Sequence, residues 1–286
     1  MQQGRAQEPN RDGRPFACLA LVLLTVLPSC ASPPASPGPA LPLVSPWWLP
    51  AVPATHDPLS TVLASLAASG PNLGWDGARQ EVLSGYLSVL ARRGPLSAPE
   101  LFPTDAHVLA YLVNAHVAWT VALGRSERLR RRDVVALREV PFPLDGRTTT
   151  LAELTGEISR RAPFEPRVGL FLNPGWRGGP PLPRSALEGH SLEWQLAAHA
   201  ALCGSTPGFW ELDRERRAVK VSGFADFMWG LPEAQPARAR RLVELVPPPA
   251  PLHQAMAATC GSSLQRCTVA SSGIDGSRLL EAATRW

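Results

Sequence analysis

Six histidines and five cysteines are the residues of this 286-residue chain whose types could carry catalysis or hold a metal. The histidines are His56, His107, His116, His190, His199 and His253. None falls in a His-Glu-x-x-His pair, and no Cys/His spacing matches a zinc site, so no metal or other cofactor is expected. His107, Tyr111 and Asn114 follow i, i+4, i+7 spacing, which places them on one helical face. That face reads either as the wall of a pocket or as a buried polar seam. Gly175 to Pro180 is rich in glycine but lacks the Gly-Lys-Ser/Thr ending of a phosphate loop. Trp176 and Arg177 at its tip offer a stacking plane and a cation, and join the candidate pocket. His190, Glu193 and His199 lie on or beside one helix without sharing a face, and read as surface residues. Glu157, Asp226 and Asp275 read as isolated carboxylates without partners.

The elements that must position these groups mix helices with short strands. Leu59, Val62, Leu63 and Leu66 predict a helix from about Leu59 to Ala68. Val82, Leu83, Tyr86, Leu87 and Leu90 predict a second over Trp75 to Arg92, with that set on one face. Thr104 or Asp105 caps a third, from about Ala106 to Leu123. Leu144 to Arg147 is a turn, followed by a short helix over Thr148 to Arg160. The apolar run Arg167 to Asn173 predicts a buried strand. A helix over Ser191 to Leu202 precedes a strand pair, Phe209 to Asp213 and Ala218 to Ser222. Helices near Ala237 to Leu245 and Pro251 to Thr259, and a strand at Arg266 to Ala270, complete the chain. Without strict βα alternation, the expected class is α+β: helices around a small mixed sheet in one domain.

Charge argues against one class of partner. The formal balance is +4, and Lys220 is the only lysine. No basic run with interleaved aromatics exists, so nucleic acid is not expected.

The N-terminus resembles a bacterial lipoprotein signal. Arg5, Arg11 and Arg14 precede an apolar run of twelve residues, Phe16 to Leu27, too short to span a bilayer comfortably. Leu27-Pro28-Ser29-Cys30 then resembles the lipobox, in which the cysteine is acylated and becomes the first residue. Several acyl chains in one anchor give stable attachment. The expected organisation is a signal peptide over 1–29, a Pro-rich tether over 30–58 with Trp47 and Trp48, and a domain over 59–286. The expected place is the cell envelope, anchored to the outer membrane through Cys30 and facing the periplasm or the surface. Removing Cys18 and Cys30 leaves three cysteines. Export permits a disulfide, and turn-prone Gly261-Ser262-Ser263 predicts that it joins Cys260 to Cys267. Cys203 is then the odd thiol, expected to be buried.

From Leu59 onward the order of motifs resembles the proteins carrying domain of unknown function 547 (DUF547). The likeness rests on Leu109-Ala110-Tyr111-Leu112-Val113-Asn114-Ala115-His116, on Leu144-Asp145-Gly146-Arg147 before Leu151-Ala152-Glu153-Leu154, and on Glu165-Pro166-Arg167-Val168-Gly169-Leu170-Phe171-Leu172-Asn173. Leu212-Asp213-Arg214-Glu215 and Phe224-Ala225-Asp226-Phe227 follow. The resemblance implies a site with a histidine directly after Val168 and two cysteines in the next loop. Here those positions are Gly169, Pro174 and Gly179. A thiolate mechanism needs the thiol and a base to raise its ionised fraction, so the resemblance implies an inert site. The expectation is an envelope lipoprotein with a catalytically inactive DUF547-like domain, binding or scaffolding an envelope protein or small molecule. The alternative is a periplasmic hydrolase or transferase on a peptide or small molecule, acting through residues the sequence does not identify.

Overall fold

The longest helix among the described residues runs through the core of the domain. In the computed structural model it is α3 (Asp105–Arg125), with Ala110, Tyr111, Leu112, Val113, Ala115 and Ala118 all buried. Among the described residues it is the only helix long and apolar enough to cross a membrane, but neighbouring elements cover most of it, as befits a core helix. The structure describes residues 55–69, 76–125, 137–163, 165–172, 180–224, 236–262 and 264–271. The chain divides into two units, Met1–Leu49 and Pro50–Trp286, and the described residues all belong to the second.

Before α3 come α1 (Asp57–Ser69) and α2 (Gly77–Arg92). Leu59, Val62 and Leu63 of α1 are buried, as their spacing predicts. Asp76 caps α2 by accepting the Arg79 N–H at 2.8 Å. Leu83, Tyr86 and Leu90 of α2 are buried, but Val82 is 37% exposed rather than part of the core face. A short 3-10 turn, Pro99–Leu101, links α2 to α3.

After α3, β1 (Phe142–Leu144) and β2 (Arg147–Thr149) form an antiparallel hairpin with Leu144 opposite Arg147. Asp145 and Gly146 make its two-residue turn at φ 51° and 73°. Those left-handed angles suit Asp-Gly in a type I′ hairpin. The tip docks on the last turn of α2. Asp145 N–H donates to the Leu90 carbonyl and Gly146 N–H to that of Ala91, each at 2.8 Å. These bonds satisfy carbonyls that a helix end otherwise leaves without partners. Thr148 and Thr149 are thus strand residues, not the start of a helix. The helix α4 (Leu151–Arg161) begins after Thr150, which forms a reciprocal capping box with Glu153.

The run read as a strand from Arg167 is a 3-10 helix, Pro166–Phe171. Pro166 at its first position fixes φ and has no N–H to give a ladder, and Glu165 accepts the Arg167 N–H at 3.1 Å. Val168, Leu170 and Phe171 are buried there, and no strand among the described residues pairs with them. Next come α5 (Leu192–Gly204), β3 (Trp210–Asp213), β4 (Ala218–Val221), α6 (Pro236–Leu245), α7 (Ala250–Cys260) and β5 (Thr268–Ser271). β3 pairs antiparallel with β4, and β5 lies parallel on its other side. The sheet is therefore small and mixed, and the fold is α+β. A disulfide joins Cys260, the last residue of α7, to Cys267 just before β5, with Cα atoms 5.0 Å apart.

Candidate functional site

A cleft of about 790 Å³ opens along α2. Tyr86, Leu90, Phe102 and Tyr111 are buried at its base, while Val82, Gly85 and Val89 form an exposed wall. These α2 positions are spaced i, i+3, i+4 and i+7, so one stretch of helix supplies both base and wall. His56, just before α1, closes one side. Glu81 and Arg93 stand on the rim, and neither has an ion-pair partner among the described residues.

The polar groups within the cleft are already partnered. The Tyr86 hydroxyl lies 2.6 Å from His56 Nδ1, with the two rings edge to face at 6.0 Å. Burial, helped by the neighbouring His107, lowers His56 to about 4. Burial raises the Tyr86 phenol well above its ordinary range. Near neutral pH both are therefore uncharged and joined by a hydrogen bond whose direction is set by the imidazole tautomer. Burial likewise raises Tyr111, whose hydroxyl donates to the Leu90 carbonyl at 3.0 Å. A phenol this hard to ionise is not a nucleophile, and an imidazole this weakly basic is a poor general base. The arrangement suits binding: an apolar trough with neutral hydrogen-bonding groups and charge only at its edge.

The residues singled out in sequence have other tasks. His107, Tyr111 and Asn114 do share a face of α3, but only Tyr111 reaches the cleft. His107 Nδ1 lies 2.7 Å from the Thr104 hydroxyl, and its ring packs so closely on Gly189 that a Cβ there would lie 2.4 Å from His107 Cγ. Asn114 is buried and holds the backbone of Leu187 through both ends of its amide, each bond 2.8 Å long. The face is thus a polar seam against residues 187–189. Trp176, Arg177, Pro174, Gly179 and Cys30 lie outside the described residues.

Gly169 sits in the 3-10 helix beside a cavity of about 200 Å³, also lined by Ile158, Ser159, Glu165 and Leu172. The Ser159 hydroxyl donates to the Thr155 carbonyl at 2.9 Å, and Glu165 holds Arg167. Neither is a base or nucleophile poised for reaction. Arg167 also binds both carboxylate oxygens of Glu193 at 2.8 Å.

Two sequence readings need correction. His199 is not a surface residue: it is 6% exposed, with its ring 4.2 Å from that of Phe171 and its Nε2 3.4 Å from the Leu170 carbonyl. It shares the buried face of Leu196, Ala200 and Cys203 at helical spacing. Burial lowers it to about 4. Glu157 is not isolated, since Arg147 and Arg161 both pair with it. The His56–Tyr86 pair went unseen because thirty residues separate its members, and Tyr86 fits an apolar stripe equally well.

Cys203 is buried, and burial pushes its thiol up to about 12, which makes it unreactive. Among the described residues no three His, Cys, Asp or Glu side chains converge on a point where a metal could bind. No protein-family model matches this chain, and neither does any curated protein or solved structure.

Proposed function

We propose that this chain is an envelope lipoprotein, tethered to the membrane through an acylated Cys30, whose domain binds a ligand without chemically changing it. The observation that carries the reading is the α2 cleft. Its buried polar groups, His56, Tyr86 and Tyr111, are neutral and partnered, while its walls are apolar. The tethering half rests on the basic start, the short apolar run and Leu27-Pro28-Ser29-Cys30. The likeness to DUF547 makes the domain an inactive relative, with Gly169, Pro174 and Gly179 where that family carries its histidine and cysteines. Scaffolding of another envelope protein uses the same binding surface and needs no further group.

The test begins with the full chain expressed in a bacterium that has an outer membrane. Intact mass of the membrane fraction should show an N-terminal acylated Cys30, and Cys30→Ser should release the protein from membranes. An unmodified Cys30 ends the tethering half. The purified protein is then screened with peptide, ester and amide substrates, and no turnover is expected. Turnover abolished by His56→Gln, His107→Gln or Cys203→Ser would replace binding with the hydrolase or transferase reading.

A further inference from the structure

We infer that the α2 cleft takes a short apolar peptide with free termini, its ammonium at Glu81 and its carboxylate at Arg93; this rests on the binding reading above. Glu81 and Arg93 are the cleft's two charged rim residues, of opposite sign and without ion-pair partners among the described residues. They are twelve positions apart along α2 and its C-cap, or about 18 Å at the helical rise. An extended peptide covers that span with about five residues. No single headgroup bridges both charges. An anionic lipid would satisfy Arg93 alone and lay its tail against Glu81.

A second observation concerns the wall between the two charges. Gly85 lies mid-helix, where glycine weakens a helix relative to alanine. A Cβ built on it meets nothing within 4 Å, so no neighbour among the described residues requires glycine there. Its absent side chain leaves the wall open between the two charges, nearer Glu81, where a second backbone can approach α2 closely. Val82 and Val89, 37% and 48% exposed, flank that opening and would cover apolar side chains of the occupant. Because this wall faces solvent, one edge of the peptide backbone stays hydrated and avoids the cost of burying unpaired amides.

The experiment is calorimetric titration of the full chain in detergent with a pentapeptide of alanine, valine and leucine. Free, N-acetylated and C-amidated forms are compared. Saturable binding is expected for the free form. Acetylation should weaken it about two- to fivefold, the range for an exposed ion pair, and that loss should vanish in Glu81→Gln. Amidation should do the same through Arg93→Gln. Gly85→Leu should abolish binding while its melting temperature is no lower than that of the parent, which separates a blocked cleft from a damaged fold. Equal binding of free and blocked peptides, unchanged binding by Gly85→Leu, or preferential binding of laurate overturns the peptide assignment. Titration with the neutral dye Nile red separates the two readings. If the dye binds and Gly85→Leu excludes it while the peptides fail, the peptide assignment alone falls. If neither dye nor peptide binds, the cleft is no binding site and both readings fall.

Discussion

The side-chain amide of Asn114 grips the backbone of Leu187 at both ends: Nδ2 donates to the Leu187 carbonyl and Oδ1 accepts its N–H, each at 2.8 Å. Leu187 is 1% exposed, so water cannot replace either bond. Asn114→Ala should therefore leave a buried donor and a buried acceptor unpaired, at a cost of about 2–4 kcal/mol. Chemical denaturation measures that loss. Binding at the α2 cleft should persist in whatever fraction stays folded. A variant as stable as the parent would remove Asn114 from the structural framework and return it to the list of candidate site residues.

The hairpin tip supplies a second test. The Asp145 carboxylate accepts the Leu96 N–H at 2.7 Å, the Ser97 N–H at 3.0 Å and the Ser97 hydroxyl at 2.6 Å. Gly94 must be glycine to admit it: a Cβ there would lie 2.4 Å from Asp145 Cγ and 2.6 Å from the Tyr111 hydroxyl. Gly94→Ala should cost about 3 kcal/mol, the upper part of the range for overpacking. Asp145→Asn keeps the left-handed turn but sets its NH2 against the backbone N–H of Leu96 or, if flipped, that of Ser97, and should cost about 2 kcal/mol. Thermal melts of both variants check this, and a melting point unchanged in Gly94→Ala would show that the contact relaxes freely.

The helices of this fold are legible because their apolar residues recur at helical spacing over successive turns, as Leu83, Tyr86 and Leu90 do. Val168 to Leu172 is too short a run to carry a period, so nothing in it separates a strand from a 3-10 helix; Pro166 was the better guide. The hairpin was half visible. Asp145-Gly146 marks its turn, but the choice of Thr148 and Thr149 for strand depends on α2 carbonyls more than fifty residues away in sequence. The cleft was invisible for a similar reason. Tyr86 and Val82 both belong to an apolar stripe by spacing, and only the placement of His56 and Phe102 decides which is buried and which lines a wall. His199 was readable in principle, since it shares the spacing of Leu196, Ala200 and Cys203.

The three cysteines after residue 200 should respond differently to alkylation. Cys203 is buried with its thiol pushed up to about 12, and Cys260 and Cys267 are joined. Iodoacetamide at pH 8 should label none of them in the folded chain. After unfolding without reductant it should label Cys203 alone, as peptide mapping would show. Replacing Cys260 and Cys267 together with serine should lower stability by about 2–3 kcal/mol, the loop-entropy value for so short a ring. Native labelling of Cys203 would mean that its site opens far more readily than its burial implies.

Acid should unfold the domain chiefly through its histidines. Burial lowers His56 to about 4, with help from His107. It lowers His116 to about 3, with help from Arg138. It lowers His199 to about 4, against a slight opposing effect of the Leu170 carbonyl. The unfolded chain carries these groups near 6.5. Between those values the unfolded state binds more protons than the native one, so stability is full above about pH 6.5 and falls as pH drops toward 4. Each histidine withdraws up to about 2 kcal/mol by pH 5. Glu165 acts with the same sign: burial alone would raise it, but its bonds to Arg167 outweigh that and lower it. Its contribution begins only below the ordinary carboxylate range, whereas Glu188, raised by burial, acts with the opposite sign and offsets part of the histidine loss as pH falls. Urea midpoints from about pH 6.5 to about pH 5 should fall steeply in the parent. They should fall less steeply in His116→Gln, which has no imidazole to protonate in the most buried of the three positions. Parallel curves for parent and variant would show that His116 gains its proton without unfolding the domain.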